Sequence, residues 1–436
     1  MGSHASRTLR VQKLAIFLFF VLTAVQVAQA APGFAPQIRM GYATGDQWEP
    51  AMAADGHGHI YILYPQYGPV PGCPTCTAPS MTLMVSSDNG VSWQPSRPML
   101  PFSTGQFDAQ IVVDPVDRQT VYASWLQNNK QNVIVARSLD DGRTWSFSVA
   151  DQAEEDTDKP VLAVRGADVY VGFNREQNFF VAASHDAGQT FNRVNINPTA
   201  GPGWSLAGGA TVDASGNVYF GWTAYARHQL PSHPVSVFVS RSADGGHNWS
   251  TTLLDVSGSP PECEGQACET GFLGAQIALA SDAAGAVYAL WNAGADNRGP
   301  ERIYFSSSTT AGASWSVRAD VSAARGGIEH GFPAITAGVS GDVRIAWMDA
   351  RAFDRQHRHL WNTFYRTSTN GGATWSAEAK LSGTNRFDDY VLPAGFRFPF
   401  GDYFSIAIDS DGATNAVWGA GRNFKSPGSI WYTRGR

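Results

Sequence analysis

The chain has 436 residues, of which 43% are hydrophobic and 12% aromatic, so it can bury a substantial core. Charged residues make up only 16%, and the formal net charge is −6. This balance argues against a nucleic-acid partner, because such a partner requires a basic face that neutralises its phosphates.

The first thirty residues differ in character from the rest. Basic residues precede an apolar run at 14–27, and Ala28-Gln29-Ala30 offers the small-residue pattern that a signal peptidase recognises. The sequence therefore predicts a signal peptide at 1–30, a single-domain mature chain at 31–436 and a secreted or periplasmic location. Retention as an N-terminal anchor is the alternative, but the run is short for a membrane span. We expect no stable membrane insertion after cleavage.

Four cysteines follow in two closely spaced pairs. Because an exported protein meets an oxidising compartment, we expect the disulfides Cys73–Cys76 and Cys263–Cys268. A redox motif at 73–76 and a four-thiolate zinc site are the alternatives, although no βαβ pattern surrounds the first pair. The histidine spacing supplies no set of three or four metal ligands, so we predict neither a metal nor a cofactor.

A short motif recurs along the chain in one frame. It begins with serine, carries an acidic residue two positions later and a glycine two positions after that, and ends on an aromatic residue. The six copies are Ser86–Trp93, Ser138–Trp145, Ser184–Phe191, Ser242–Trp249, Ser308–Trp315 and Ser368–Trp375. Thr310 and Asn370 replace the acidic residue in the last two copies.

Each copy of the motif predicts a hairpin turn. A short Asp or Asn side chain accepts hydrogen bonds from backbone N–H groups just ahead of it, and the glycine adopts an angle that a Cβ would resist. The aromatic ring is then expected to fill the gap between neighbouring sheets. Strand-like runs precede each copy, such as 109–114, 120–125 and 132–137.

These units predict an all-β fold, a seven-bladed β-propeller of four-stranded blades. The runs 403–409, 415–418 and 429–434 supply three strands of a seventh unit, and the chain stops where its fourth would begin. A segment at 37–42 is the natural donor of that strand, since pairing the two termini removes exposed sheet edges. A six-bladed ring with a ragged end is the alternative.

The motif resembles the Asp-box of BNR repeats, which occur in sialidases and related carbohydrate-active propellers. The resemblance covers essentially the whole mature chain and implies a carbohydrate or glycoconjugate ligand. It departs from the family at the start of the first blade, where sialidases carry an arginine that holds the substrate carboxylate. Here that position reads Gln47-Trp48-Glu49-Pro50. An anion there would repel sialic acid, so we do not expect strict sialidase activity.

A ligand site is expected on the face opposite the motifs, where the loops between strands two and three lie. Arginine recurs in these loops in five consecutive blades, and guanidinium groups bind carboxylate or sulfate bidentately. The sequence therefore predicts an arginine-rich face that binds an anionic glycan, through Arg175, Arg227, Arg298, Arg351 and Arg422. Arg302 and Arg355 belong to the same loops. For each arginine singly, a solvated loop position is the alternative.

The loops that enter strand one carry acidic and aromatic residues. Glycosidases need a proton donor together with a nucleophile or base, and sialidases use a tyrosine as nucleophile. The resemblance implies this role for Tyr403, beside Asp402, with Glu49 or Glu329 as its base and Trp48 contacting the ligand. Alternatively, Asp402 caps a turn and Tyr403 packs at the channel mouth.

Two functions therefore remain open from the sequence. The first is a carbohydrate-active enzyme of sialidase-like fold, either a glycoside hydrolase or a lyase. The second is a non-catalytic propeller that binds glycan or protein. Convergence of Tyr403 with a carboxylate distinguishes them, because proton transfer requires hydrogen-bonding reach.

Overall fold

The computed structural model describes residues 1–2, 33–99, 104–197, 203–225, 234–259, 275–297, 299–353, 359–383, 401–420 and 428–436. In these ranges the chain forms seven antiparallel sheets arranged as the blades of one propeller, which confirms the predicted fold. Among the described residues we find no helical segment with the length and hydropathy that a membrane span requires. Much of the proposed signal peptide lies outside the described residues, so that assignment stays a prediction.

The strands follow one another in the order of the blades. The N-terminal strand is β1 (Ile38–Arg39). Blade one contains β2 (Asp46–Gln47), β3 (Ala51–Ala54), β4 (Ile60–Tyr67), β5 (Ser80–Ser86) and β6 (Arg97–Pro98). Blade two contains β7 (Phe107–Val113), β8 (Val121–Gln127), β9 (Asn132–Ser138) and β10 (Ser146–Gln152). Blade three contains β11 (Asp158–Arg165), β12 (Asp168–Arg175), β13 (Asn178–Ser184) and β14 (Asn192–Asn195).

The remaining blades repeat this order. Blade four contains β15 (Trp204–Val212), β16 (Val218–Tyr225), β17 (Val235–Ser242) and β18 (Ser250–Ser257). Blade five contains β19 (Ile277–Ser281), β20 (Val287–Gly294), β21 (Glu301–Ser308) and β22 (Ala319–Asp320). Blade six contains β23 (His330–Ala337), β24 (Val343–Phe353), β25 (His359–Ser368) and β26 (Ala379–Lys380). Blade seven contains β27 (Ser405–Ile408), β28 (Thr414–Ala420) and β29 (Ser429–Gly435).

The N-terminal segment completes blade seven, as the sequence predicted. β1 pairs antiparallel with β29, with Ile38 opposite Tyr432 and Arg39 opposite Trp431. Backbone hydrogen bonds extend the pairing, from Met40 N to Ile430 O at 2.8 Å and from Ala35 N to Arg434 O at 2.8 Å. The last blade is therefore built from both ends of the described chain, which closes the ring.

The repeated motif forms the predicted turn in each of its six copies. In the first, Asp88 Oδ1 accepts a hydrogen bond from Ser92 N at 2.8 Å, and Ser86 Oγ accepts one from Gly90 N at 2.8 Å. Thr310 and Asn370 take the place of the aspartate, because each accepts the N–H four residues ahead at 2.9 Å. Gly90 has φ of 80°, and a Cβ there would collide with the Tyr432 hydroxyl of blade seven.

Apolar side chains fill the spaces between neighbouring blades. One such cluster joins Tyr61 and Leu83 of blade one to Ile111 and Trp125 of blade two. The tryptophan at the end of the motif packs on the preceding blade, as expected. The Trp93 ring lies 5.0 Å from that of Tyr432, edge to face. Burial of aromatic surface between sheets holds the blades together.

The predicted disulfide between Cys73 and Cys76 is present, with the two Cα atoms 5.4 Å apart. It closes a short loop between β4 and β5. Cys263 and Cys268 lie outside the described residues, so their pairing stays a prediction.

Ring closure generates a first testable prediction. A variant that begins at residue 43 lacks β1 and leaves the outer edge of β29 without a partner, whereas a control that begins at residue 31 keeps the pairing. We expect the shorter variant to melt at lower temperature and to aggregate, because an unpaired edge strand is a template for other chains. Calorimetry and light scattering measure both effects. Equal melting temperatures for the two variants would contradict the structural role of β1.

Candidate functional site

The first strands of all seven blades surround a central channel. A cavity of about 200 Å³ lies in it, and its wall takes residues from every blade. Asp108, Lys159, Asp402 and Tyr403 contribute to this wall at the points where their strands begin. These entry points lie at the opposite end of the strands from the hairpin motifs, which is the face where the sequence predicts a ligand site.

A local break in the strand ladder aims several side chains at this end of the channel. Glu49, Asp108, Lys159 and Phe332 have positive φ angles of 52°, 57°, 50° and 56°. Glu49 lies between β2 and β3, and the other three lie where the register shifts in β7, β11 and β23. Left-handed backbone costs a residue with a Cβ about 1–3 kcal/mol, and such bulges redirect side chains.

Four charged side chains from four blades meet here, and we name them the acid–lysine cluster: Glu49, Asp108, Lys159 and Asp402. The Lys159 ammonium contacts Asp402 Oδ2 most closely and lies 3.4 Å from Asp108 Oδ1 and 3.8 Å from Glu49 Oε1. The three acidic residues are only 4%, 4% and 3% exposed. Three carboxyl groups thus share one ammonium in a place with little access to water.

Burial sets the protonation of this cluster. It raises the pKa of Glu49 well above its ordinary value, and the neighbouring Asp402 charge adds to the effect although Lys159 opposes it. Burial also raises the pKa of Asp108, although the Lys159 charge opposes this effect. Burial alone would lower the pKa of Lys159, but the surrounding carboxylates outweigh it and raise that pKa. Burial and the shared ammonium therefore act in opposite directions on the pKa values of these carboxyl groups.

Tyr403 adjoins the cluster. Its ring centroid lies 5.2 Å from Lys159 Nζ, and its hydroxyl donates a hydrogen bond to Ala109 O at 3.1 Å. Burial raises the pKa of Tyr403 well above its ordinary value, and the charges of Glu49, Asp108 and Asp402 add to this. The hydroxyl is therefore neutral, and it needs a base before it can attack a substrate.

The cluster also has the ligand types of a metal site. One oxygen from each of Glu49, Asp108 and Asp402 can be chosen so that all three lie within 4.8 Å of one another. The Lys159 ammonium already contacts these carboxylates, however, and neutralises part of their charge. The described arrangement thus favours an internal ammonium over a metal ion.

Glu329, the other predicted base, belongs to a different group. Glu329 Oε2 accepts a hydrogen bond from the backbone N–H of Glu301 at 3.2 Å. Burial raises the pKa of Glu301 to about 8, and burial together with the Glu301 charge raises that of Glu329. In blade six the strand-entry position equivalent to Glu49 is taken by Phe332. The role of Glu329 as a base stays a prediction.

The predicted arginines that the structure describes are held by internal carboxylates. Arg175 contacts Asp151 at 2.6 Å, and Arg351 contacts Asp349 and Glu378 at 2.5 Å each. Arg302 likewise contacts Asp320 at 2.8 Å. Arg227, Arg298, Arg355 and Arg422 lie outside the described residues. The arginine-rich binding face therefore stays a prediction.

Comparison with known proteins fits this architecture. Residues 35–264, more than half of the chain, match the family model described as a BNR repeat-like domain. The chain belongs to this BNR repeat-like family. No curated protein matches the sequence significantly.

Solved structures resemble this BNR repeat-like protein at low identity. A polysaccharide lyase of family PL25, an ulvan lyase, has a TM-score of 0.52 at 12% identity, over 90% of this chain and 95% of its own. A protein of unknown function from Dyadobacter fermentans has a TM-score of 0.51 at 12% identity, over 94% of this chain and 99% of its own. The Hadza microbial sialidase Hz136 has a TM-score of 0.47 at 14% identity, over 90% of this chain and 66% of its own. The likenesses to the ulvan lyase and the Dyadobacter protein establish the fold alone.

Sequence reasoning assigned no role to Asp108 and Lys159 in this BNR repeat-like protein. The sequence nevertheless contains a signal for the bulges that place such residues at the channel. Pro50, Pro160 and Pro333 directly follow the left-handed Glu49, Lys159 and Phe332. Proline cannot donate to a strand ladder, so a repeated X-Pro at strand entry marks a bulge. Which of the bulged residues meet across the channel depends on ring geometry, which the spacing does not contain.

Lys159 provides a stability test of the cluster. Lys159→Met should lower the free energy of unfolding by about 3–5 kcal/mol at pH 7.5, because buried carboxylates lose their cation. The loss should be smaller at pH 5, where more carboxyl groups are protonated. Urea unfolding at both values measures the difference, with Arg143→Met, a largely exposed cation, as control. An equal loss at the two pH values would contradict this electrostatic account.

The Glu301 pair predicts a second pH dependence. The folded state binds a proton on Glu301 up to about pH 8, whereas the unfolded chain releases it near 4.5, so stability falls as pH rises between these values. We expect Glu301→Gln to flatten this slope by up to about 1.4 kcal/mol per pH unit. Urea unfolding from pH 5 to 8 measures it, with the exposed Glu155→Gln as control. A slope unchanged in Glu301→Gln would show that Glu301 is ionised throughout.

Proposed function

We propose that this protein is an exported enzyme that cleaves glycans at the channel mouth. The observation that supports the proposal is the acid–lysine cluster beside Tyr403 at one end of the cavity. Glycosidic cleavage needs a proton donor and a second group that attacks or activates, held within hydrogen-bonding reach. Glu49 and Asp402 both contact the Lys159 ammonium, and Tyr403 directly follows Asp402.

The environments of the two carboxyl groups suggest different roles. Burial raises the pKa of Glu49, which favours its protonated form, so Glu49 is suited to protonate the leaving oxygen. Asp402 makes the closest contact with the Lys159 ammonium and directly precedes Tyr403, so we assign it as the base for the Tyr403 hydroxyl.

In the proposed reaction the Tyr403 oxygen bonds to the anomeric carbon while the glycosidic C–O bond breaks. The Tyr403 proton passes to Asp402, and the Glu49 proton passes to the leaving oxygen, so charge and atoms balance. Water then replaces tyrosine at the anomeric carbon by the reverse proton movements. Tyr403 must first give up its hydrogen bond to Ala109 O, which a ligand hydroxyl can replace.

The cavity limits how much ligand enters the channel. Its volume of about 200 Å³ is below the roughly 300 Å³ at which typical ligand pockets begin. We therefore propose that only the end of a glycan reaches the cluster, while the rest lies across the strand-entry face. An anionic glycan remains a hypothesis based on the predicted arginines, of which the described members already have internal partners.

A non-catalytic glycan-binding propeller is the second candidate. The hydrogen bond from the Tyr403 hydroxyl to a backbone carbonyl favours it, because the same bond would let the residue serve packing alone. Export is part of either proposal. The Cys73–Cys76 disulfide supports it, since disulfides persist mainly in oxidising compartments.

Turnover of glycans tests the enzyme proposal. The purified protein should release reducing ends, without unsaturated products, from at least one member of a panel of neutral and anionic polysaccharides. Glu49→Gln and Tyr403→Phe should each lower kcat by about 10²–10⁴. Mass spectrometry of rapidly quenched reactions should show a sugar attached to Tyr403.

The control is Tyr122→Phe, which removes a buried hydroxyl elsewhere in the ring. It should leave kcat unchanged. Binding of a polysaccharide without any turnover would reject the enzyme in favour of the binding module. Unsaturated products would instead indicate a lyase and reject the hydrolytic mechanism.

A further inference from the structure

Three aromatic side chains form a continuous row beside the acid–lysine cluster, and we name them the aromatic rim: Trp48, Tyr67 and Phe107. The rings of Trp48 and Tyr67 are stacked with centroids 4.7 Å apart, and that of Tyr67 meets Phe107 edge-on at 6.4 Å. Trp48 and Phe107 directly precede Glu49 and Asp108 in the chain. The rim therefore lies along blades one and two at the entry to the channel.

The rim and the cluster differ in access to solvent. All three rings are half-buried, whereas Glu49, Asp108 and Asp402 are almost fully buried. A ligand that approaches this side thus meets aromatic surface first and carboxyl groups behind it. The apolar C–H face of a pyranose packs well on such rings, and its hydroxyl groups can reach polar atoms beyond.

Two buried acceptors in the cluster have no hydrogen-bond partner among the described residues. They are Asp108 Oδ2 and Asp402 Oδ1. A buried acceptor without a donor is costly, by about 1–3 kcal/mol, and in a site it usually marks the place of a ligand or water donor. Sugar hydroxyl groups are donors of the required kind.

The charges around the rim disfavour an anionic sugar. Lys130 and Lys159 are the cations that approach it in the described part of the chain, and each is bound by acids. Lys130 contacts Asp158 at 2.9 Å, and Lys159 is shared by three carboxyl groups. Both lysines thus already have acidic partners, and neither is free to bind a sugar carboxylate or sulfate.

We infer that the aromatic rim is a subsite that binds an uncharged pyranose unit of the glycan, next to the unit that the cluster acts on. The inference rests on the proposed function and names its ligand class, an oligosaccharide that is neutral at this position. Asp108 Oδ2 accepts one of its hydroxyl groups, which leaves Asp402 Oδ1 to take the Tyr403 proton. The glycan chain then extends over blades one and two, which carry none of the predicted arginines.

The test measures binding separately from turnover, in the Tyr403→Phe background. The probes are tetrasaccharides of cellulose, xylan, galactan and mannan, together with those of polygalacturonate and chondroitin sulfate. Calorimetry should detect at least one neutral tetrasaccharide that binds at least tenfold more tightly than either anionic probe. Trp48→Ala should weaken that binding by tenfold or more and leave the affinity for the corresponding monosaccharide unchanged.

Trp48 also packs against the core of blades six and seven, so its substitution could disturb the fold. A second variant in the rim therefore serves as a check. Phe107→Ala should have the same effect, and melting curves should confirm that both variants fold. The control is Phe147→Ala, an aromatic residue 37% exposed on the outer strand of blade two. It should leave affinity unchanged.

The results separate the subsite from the proposed enzyme. Three results would overturn the rim as a neutral subsite, even if the wild type shows turnover. They are tighter binding of an anionic probe, binding that neither Trp48→Ala nor Phe107→Ala weakens, and no binding of any neutral probe. Rim-dependent binding of a neutral tetrasaccharide without turnover by the wild type would support the subsite and reject the enzyme.

Discussion

The pairing of β1 with β29 is the constraint on which the rest of the structure depends. Asp402 and Tyr403 enter the first strand of blade seven, and their partners come from blades one, two and three. Only a closed ring places blade seven beside blade one. A few backbone hydrogen bonds between residues 35–40 and 430–434 thus hold together a site whose members are up to 353 positions apart, from Glu49 to Asp402. Because closure also covers the outer edge of β29, fold stability and site assembly have the same origin.

The site combines several locally unfavourable features. Glu49, Asp108 and Lys159 adopt left-handed backbone, and the three carboxyl groups of the cluster are buried around one ammonium. The surrounding ring supports them through the apolar clusters between blades, which bury aromatic residues such as Trp125 and Trp418 completely. Strain and buried charge concentrated at one end of a rigid scaffold are typical of functional sites.

The two faces of the ring differ in chemistry. On the hairpin face the acidic residues complete short turns, and their hydrogen bonds lower the pKa of Asp88 and Asp140 to about 2. On the opposite face burial raises the pKa of Glu49, Asp108 and Glu301. The same residue types therefore stabilise turns at one end and hold protons at the other, because solvent access and hydrogen-bond donors differ between the ends.

The sequence by itself determined the fold, the blade count and the role of the N-terminal strand. Each copy of the hairpin motif forms its hydrogen bonds locally, so counting the copies along the chain counts the blades. It also pointed to Glu49, Asp402 and Tyr403, since their place at strand entry is a matter of spacing. Only the tertiary structure decided that Lys159 and Asp108 complete the group, that Glu329 pairs with Glu301 instead, and that Arg175 and Arg351 are bound by internal acids. These outcomes depend on which side chains meet across the channel and between blades, and on how far burial changes their charge. Contacts between distant blades leave no periodic trace in the chain, whereas the turns that build each blade do.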